Sequence, residues 1–272
     1  MTLGIREATP ADRADWTAFL ASRPEGDVLQ SWAWGEAGAG EPGEQWTRLI
    51  VVDAGGHTRG LAQVLRRATS FGRTVLYVPH GPVWDRGAPD AAEVMARLLT
   101  ELKAYARSRR GIVLKFDPRG SGDAVADAAI ARALLSSSQP AAHHLQAPTT
   151  RLIDLLSGED PVAGWSKDAR AETRRAEREG TTVILDRDGD PALLDRFHAL
   201  LAETSERSGF RIRSRAFLDA LAEPLVASGD WFMTLAEHDG TALAGAIAPR
   251  TGDRAFYLYA ASTRDRELAR KR

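Results

Sequence analysis

The sequence predicts an α/β chain, in α+β arrangement, built from two consecutive copies of one unit. Short apolar runs alternate with amphipathic segments of helical period, which is the pattern of helices packed on sheet. The order of these elements then occurs a second time. Corresponding points recur at nearly constant offsets: Ile5 to Val183 is 178 residues, the turn at Gly56 to that at Gly240 is 184, and Gly81 to Ala261 is 180. The division is expected near residue 148, giving a first unit over 1–148 and a second over 149–272.

Each element has a local reason. Leu3–Glu7 reads as a short strand, and TPADRADWTAFLAS as a helix with Thr9 at the N-cap and Pro10 at the first helical position. LQSWAWGEA reads as a second helix. WTRLIVVDAGGHTRGLAQVLRRA gives two apolar runs around a Gly-Gly turn, a hairpin. TVLYVPHGP is a third strand ended by Pro79, Gly81 and Pro82. DAAEVMARLLTELKAYARSRRG is a long helix, apolar at Val94, Leu98, Leu102 and Tyr105 and stopped by Gly111, and IVLKFDP is a buried strand.

The second copy follows the same plan. TTVILD is a strand, DPALLDRFHALLAETSERSG and RSRAFLDALAEPLVASG are helices, and WFMTLAEHDGTALAGAIAPR is a hairpin turning at Asp239–Gly240. RAFYLYAAST is the third strand. In the first copy a helix of about 20 residues and a strand follow this point, whereas here only RDRELARKR follows. Against that template the second unit lacks roughly 30 residues, so it is expected to be incomplete, with a sheet edge or face uncovered. SSSQPAAHHLQAPTT reads as the linker.

Composition narrows the function classes. A chain of 272 residues with 43% hydrophobic and 27% charged residues is globular, not disordered. A formal net charge of −1 supplies no overall field toward nucleic acid or an anionic membrane, so any polyanion contact has to come from a local patch. Cysteine is absent, which excludes disulfides, thiolate metal sites and a cysteine nucleophile. No run approaches the ~18 apolar residues of a transmembrane helix, and MTLGIREATPADR has no signal-peptide core. A cytoplasmic protein is expected. His57, His80, His198 and His238 are scattered and His143–His144 has no ligand spacing, so no metal site is expected.

Several residues are candidates for chemistry. Lys167, Arg170, Arg174 and Arg178 fall on one stripe of a helix, which is either a solvated, salt-paired face or a phosphate-binding edge. Arg207, Arg211, Arg213 and Arg215 surround Gly209–Phe210 between two helices, where arginines either clamp an anion or dress an exposed connection. Asp117 ends a strand; such an acid either caps the next turn or serves as a base at the carboxyl end of the sheet. Tyr257 and Tyr259 alternate with Leu258 and are expected on one strand face. Trp32 and Trp34 point about 200° apart in a helix, so one indole is expected in the core and the other elsewhere. G-x-S-x-G, P-loop and G-x-G-x-x-G motifs are absent, as is the pyrophosphate loop of acetyl-CoA-dependent acetyltransferases.

The segments LQSWAWGE, LYVPHGPVW, LKFDP, SKDARAETRRAEREG, LLAETSERSGFRIRS and GAIAPRTGDRAFYLYAAST, in that order, resemble the FemABX family. These are peptidoglycan bridge-forming aminoacyltransferases with tandem acyl-CoA N-acyltransferase (GNAT)-like domains and mixed sheets. The resemblance runs from about residue 5 to residue 263. It implies transfer of an amino acid from aminoacyl-tRNA, as co-substrate and without a cofactor, to a stem-peptide amine. The acceptor is a peptidoglycan precursor, lipid II or UDP-MurNAc-pentapeptide, and contact with the membrane is peripheral, through the lipid-linked substrate.

The resemblance also implies roles. Asp117 is the catalytic base. Arg213, with Arg207 and Arg211, contacts precursor phosphate, and Tyr257 and Tyr259 line the substrate groove. Of Trp32 and Trp34, one anchors the helix and the other walls a cleft between the units. The basic stripe of the SKDARAETRRAEREG helix, read by itself above, makes Lys167, Arg170 and Arg174 the expected tRNA or phosphate contacts. The chain departs from the family in carrying Glu36-Ala37-Gly38 in place of a lysine after W-x-W-G, and in ending soon after Tyr259-Ala260-Ala261-Ser262. The alternatives are an N-acyltransferase with another acyl donor and an inactive, truncated paralogue.

Overall fold

The computed structural model describes residues 3–120, 124–155, 157–158, 160–263 and 265. Apart from Asp265, the final stretch Arg264–Arg272, which carries the expectation of a missing helix, lies outside them. Two compact units are present, one of residues 1–146 with 250–254 and one of 147–249 with 255–272.

The first unit is a mixed sheet with helices on both faces. Its strands are β1 (Gly4–Glu7), β2 (Glu44–Val52), β3 (Thr58–Ala68), β4 (Thr74–Val78), β5 (Val83–Trp84) and β6 (Gly111–Phe116), ordered β1-β2-β3-β4-β6 with β5 also paired to β3. Neighbours are antiparallel except β4 and β6, which run parallel with Val78 beside Phe116. Helix α1 (Arg13–Ala21) is preceded by a 3₁₀ turn at Pro10–Asp12 whose N-cap is Thr9. Asp12 accepts from the Thr9 backbone N–H at 2.7 Å and from Arg6 at 2.6 and 2.7 Å, closing the turn against β1. Helix α2 (Trp32–Ala39) is shorter than the sequence suggests. A 3₁₀ turn at Val28–Gln30 comes first, and Ser31 caps α2 by accepting from the Trp34 N–H.

Alternation along the strands sorts the core into two clusters. Leu49 and Val51 of β2, with Ala62 and Val64 of β3, face α3 (Ala91–Ser108), which presents Val94, Leu98 and Leu102. Each such valine or leucine stabilises by about 1.5–3 kcal/mol on burial. Ile50 and Leu61 face the other way, against Trp16, Phe19, Leu20 and Trp32. Two expectations change here. Helix α3 ends at Ser108, three residues before Gly111, which instead opens β6 and is required there because a Cβ would sit 2.6 Å from Leu76 and 2.8 Å from the Ala106 carbonyl. β6 is an edge strand, with Ile112 and Val113 exposed, and not the buried strand its apolar run suggests. Helix α4 (Ala124–Leu135), unassigned from sequence, adds Leu134 to the α3 cluster.

In the second unit, α5 (Lys167–Arg178) leads to β7 (Thr182–Asp186), α6 (Pro191–Ser208), α7 (Arg215–Ala227) and the hairpin of β8 (Met233–His238) and β9 (Thr241–Ile247). Asp239 and Gly240 both take positive φ at the hairpin turn. Between β9 and β12 (Tyr259–Ser262) the chain forms a small ribbon of β10 (Arg250–Thr251) and β11 (Arg254–Ala255), whose residues 250–254 belong to the first unit. The sheet order is β12-β9-β8-β7, antiparallel throughout its described strands. Gly245 lets α6 lie close, since a Cβ there would meet Phe197 at 2.8 Å. The buried Trp231 indole donates to Asp186 at 2.8 Å.

Asp12 gives a pH test of the first unit. The Arg6 guanidinium, then the Thr9 N–H, hold its carboxyl well below the ordinary 3.8. A depressed folded pKa contributes stability above the unfolded value and loses it as pH falls through the depressed one. Asp12→Asn is therefore expected to cost about 1 kcal/mol at pH 7 and progressively less below about pH 4, read by urea denaturation across pH. A cost that stays constant down to pH 2 would contradict the assignment.

Candidate functional site

The first unit gathers its buried polar groups where its parallel strands end. β4 runs into Pro79-His80-Gly81 and β6 into Asp117-Pro118-Arg119, and the carboxyl ends of parallel strands are where α/β folds place ligands. The Tyr77 hydroxyl donates to Asp117 Oδ2 at 2.7 Å, and the His80 backbone N–H donates to Asp117 Oδ1 at 2.7 Å. His80 has φ +49°, a left-handed conformation that costs a residue with a Cβ about 1–2 kcal/mol and so has to be held by its surroundings.

Asp27, 1% exposed, supplies part of that hold. Its Oδ2 lies 2.8 Å from His80 Nδ1 and 3.1 Å from Arg119 Nη1, while Oδ1 accepts from the Leu29 N–H at 2.9 Å. With Asp27 as the acceptor, His80 Nδ1 is the donor of this contact, and Nε2 is the ring edge turned to other partners. Burial pushes the Asp117 carboxyl above the ordinary carboxylate value, against the opposing pull of its Tyr77 and His80 donors. Burial, and then the neighbouring Asp117, push the Tyr77 phenol well up, so Tyr77 stays a donor.

Two buried glutamines brace this corner. Gln30 Nε2 donates to the Pro79 carbonyl at 2.6 Å, and Gln30 Oε1 accepts from the Gln63 N–H at 2.7 Å. Gln63 Nε2 donates to the Leu29 and Ser31 carbonyls, and Gln63 Oε1 accepts from Arg48 Nε. Arg48 also stacks 3.9 Å over the Trp32 ring, and burial lowers its pKa to about 10. Arg86 lies beside these groups, between Glu25 at 3.5 Å and Asp127 at 3.6 Å and over Trp84 at 4.7 Å.

The second unit has a different feature. Val183, Ala236, Ala244 and Ser262 are aligned by register on one sheet face, as are Leu185, Thr234, Ala246 and Ala260. Helix α6 covers the opposite face, and this one borders an open cavity of about 470 Å³ that Tyr257 and Thr204 also line. At its β7 edge Val183 is 67% and Leu185 56% exposed, and Thr234, Ala236, Ala244, Ala246, Ala260 and Ser262 are half-buried among the described residues.

The sequence candidates distribute as follows. Asp117 is at the strand-end site. Trp32 and Trp34 are each only 5% exposed, so both indoles are buried and neither is the ring turned away from the core that helical spacing predicts. Helix α2 is enclosed on more than one side: Trp32 packs edge-on to Trp16, and a Cβ on Gly38 would sit 2.3 Å from the Trp46 indole nitrogen. Tyr257 and Tyr259 do not share a face, because the strand begins only at Tyr259. Tyr257 lines the open cavity, whereas Tyr259 is paired with the buried Ile247 on the α6 side. Arg207 reaches Ser262, Arg213 stacks over Phe217 at 4.7 Å, and Arg211 is exposed. Arg215 binds Asp195 and Asp219 and is a structural tie. Lys167 and Arg174 are exposed on α5, and Arg170 donates to the Ala163 carbonyl. Sequence reading missed Asp27, Gln30, His80 and Gln63. The His-Gly-Pro run after a strand was the available signal for His80. Among the described residues no group of three His, Cys, Asp or Glu side chains could hold a metal, and no helix is long and apolar enough to cross a membrane.

Comparisons with known proteins agree with this architecture. The Acetyltransferase (GNAT) domain family matches residues 163–272. The lipid II:glycine glycyltransferase of Staphylococcus aureus is 27% identical over 232 residues, covering 82% of this chain and 53% of that protein. The chain thus spans about half the length of the curated relatives it matches. The crystal structure of FemX superimposes with a TM-score of 0.74 at 21% identity, covering 97% of this chain and 82% of that one.

The bracing gives a direct test. Gln30→Leu would leave the Pro79 carbonyl and the Gln63 N–H buried without partners, and an expected loss of about 3 kcal/mol is read by chemical denaturation. A loss under about 1 kcal/mol would show that the corner does not depend on Gln30.

Proposed function

We propose that this chain, which has the fold of FemX and resembles the FemABX transferases along most of its length, forms an amide between an amino acid and a peptidoglycan precursor. The observation that carries the reading is the likeness to a lipid II:glycine glycyltransferase over 232 residues, more than either unit contains, so it extends over both. The proposed donor is an aminoacyl-tRNA ester, and the acceptor is a stem-peptide amine of lipid II or UDP-MurNAc-pentapeptide.

Aminolysis of an ester is downhill, so the protein has to align amine and carbonyl, remove a proton and stabilise the developing oxyanion. No covalent enzyme intermediate is needed. The acceptor ammonium gives a proton to the base, the amine nitrogen bonds to the ester carbonyl carbon, and the carbon–oxygen bond to the ribose breaks. The ribose oxygen leaves as a hydroxyl, taking the second amine proton. In this reading Asp117 is the base, supported by a carboxyl whose proton affinity burial raises toward that of an amine acceptor. Arg207, Arg211 and Arg213 would take precursor phosphate, Tyr257 the precursor's apolar surface, and Lys167, Arg170 and Arg174 tRNA phosphates.

One observation favours a second base. His80 is fixed by Asp27 through Nδ1, so its Nε2 edge is the one turned to other partners, whereas both Asp117 oxygens already accept a donor.

The experiment is amide formation, followed by mass spectrometry, from purified protein, aminoacyl-tRNA and lipid-linked or nucleotide-linked precursor, with acyl-CoA as the competing donor. Product from aminoacyl-tRNA alone supports the reading, and product from acyl-CoA alone replaces it. Asp117→Asn is expected to lower kcat by about 10²–10⁴ and to abolish the acid limb of the rate profile, with KM little changed. If His80→Gln does this and Asp117→Asn does not, the base is His80.

A further inference from the structure

At the end of the first sheet opposite Asp117, the β3–β4 connection projects a single aromatic ring. Phe71 is 95% exposed and has φ +60°, a conformation that disfavours any residue with a Cβ. A phenylalanine at a strained, fully exposed tip gains nothing from the fold it sits on, which makes the position a candidate for an outside partner. Its surroundings are basic. Arg66 and Arg67 end β3, Arg73 precedes β4, and Arg107, Arg109 and Arg110 end α3 and lead into β6.

These segments are joined. Thr74 donates through its N–H to the Arg110 carbonyl at 3.2 Å and through Oγ1 to the Arg109 carbonyl at 2.7 Å. A Cβ on Gly72 would lie 3.3 Å from Arg110 Nη1. Acidic relief is limited: Arg67 pairs with Glu44, and Arg109 with Glu7 at 3.8 Å. Arg73, Arg107 and Arg110 make no ion pair with the described residues, and all three are exposed. Next to them Ile112, 56% exposed, is the extra residue where the β4–β6 register shifts, and Val113 is 40% exposed.

We propose that this tip docks the protein on an anionic lipid surface, with Phe71 and Ile112 entering the interface and the arginines above the headgroups. Arginines alone would suit any polyanion. The aliphatic Ile112 and Val113 decide between partners, because they offer no stacking surface to a nucleic-acid base but do partition into a lipid interface. The inference is independent of the proposed transferase activity, since it needs neither precursor nor tRNA.

Cosedimentation with vesicles tests it, comparing phosphatidylglycerol–phosphatidylcholine mixtures with pure phosphatidylcholine at 0.1 M salt. Binding is expected to the anionic vesicles and not to the neutral ones, and to weaken as salt rises. Phe71→Gly suits the backbone better than the native residue, so it is expected to keep or raise Tm while weakening binding roughly tenfold. Arg73→Gln, Arg107→Gln and Arg110→Gln are each expected to weaken binding by about fivefold. Equal binding to both vesicle types, or binding unchanged in these variants, would overturn the proposal. So would no vesicle binding at all, or binding of uncharged tRNA that is lost in the same variants while vesicle binding is not.

Discussion

A buried carboxylate has to be supplied with donors, and in the first unit that requirement organises the chain. Asp117 ends β6 and takes its two hydrogen bonds from β4 and the turn after it, through Tyr77 and the His80 backbone. The tie joins the carboxyl ends of a parallel pair, where no further ladder hydrogen bond is available. His80 can keep its left-handed backbone because Asp27 holds the ring and Gln30 holds the preceding carbonyl. Residues 27–31 are thereby drawn beneath the turn, and α2 starts where Ser31 can cap it. The burial of both Trp32 and Trp34 follows from this position, because a helix pinned there is enclosed by β2 and β3 side chains as well as by α1.

Among the described residues of the second unit, helix packing is seen on one face of the sheet. Phe197, Leu194 and Leu201 of α6 fill one face of its sheet, and Gly245 admits the helix closely. On the other face Ala236, Ala244, Ala246 and Ala260 keep the sheet surface low, with Val183 and Leu185 standing at its β7 edge. A surface of small side chains can accept a flat substrate or another packed element with little rearrangement.

Much of this was legible in the sequence because it is written in local code. The Thr9–Pro10 start, the Asp239–Gly240 turn and the apolar stripe of α3 each depend on residues within a few positions of one another. What escaped depends on pairs far apart in the chain. Asp27 and His80, 53 residues apart, carry no periodicity that would link them, and neither do Gln30 and Gln63. The same limit explains the tryptophans: helical geometry separates the two indoles correctly but says nothing of how many sides of the helix are covered. Tyr257 and Tyr259 were assigned to one strand on alternation alone, and the strand begins between them. Asp117 was legible as a strand-end acid, and its partners were not.

Proton transfer in the proposed reaction requires Asp117 to be a desolvated, proton-ready carboxyl and not an ordinary ionised tie. Its titration can be followed by NMR of the carbon-13-labelled side chain in the native protein, assigned through Asp117→Asn. A pKa above the ordinary 3.8, rising no further when acceptor is absent and falling when the corner is loosened by Gln30→Leu, is the result expected. A value at or below 3.8 would mean that Tyr77 and His80 outweigh burial and that Asp117 serves only to hold two strands together.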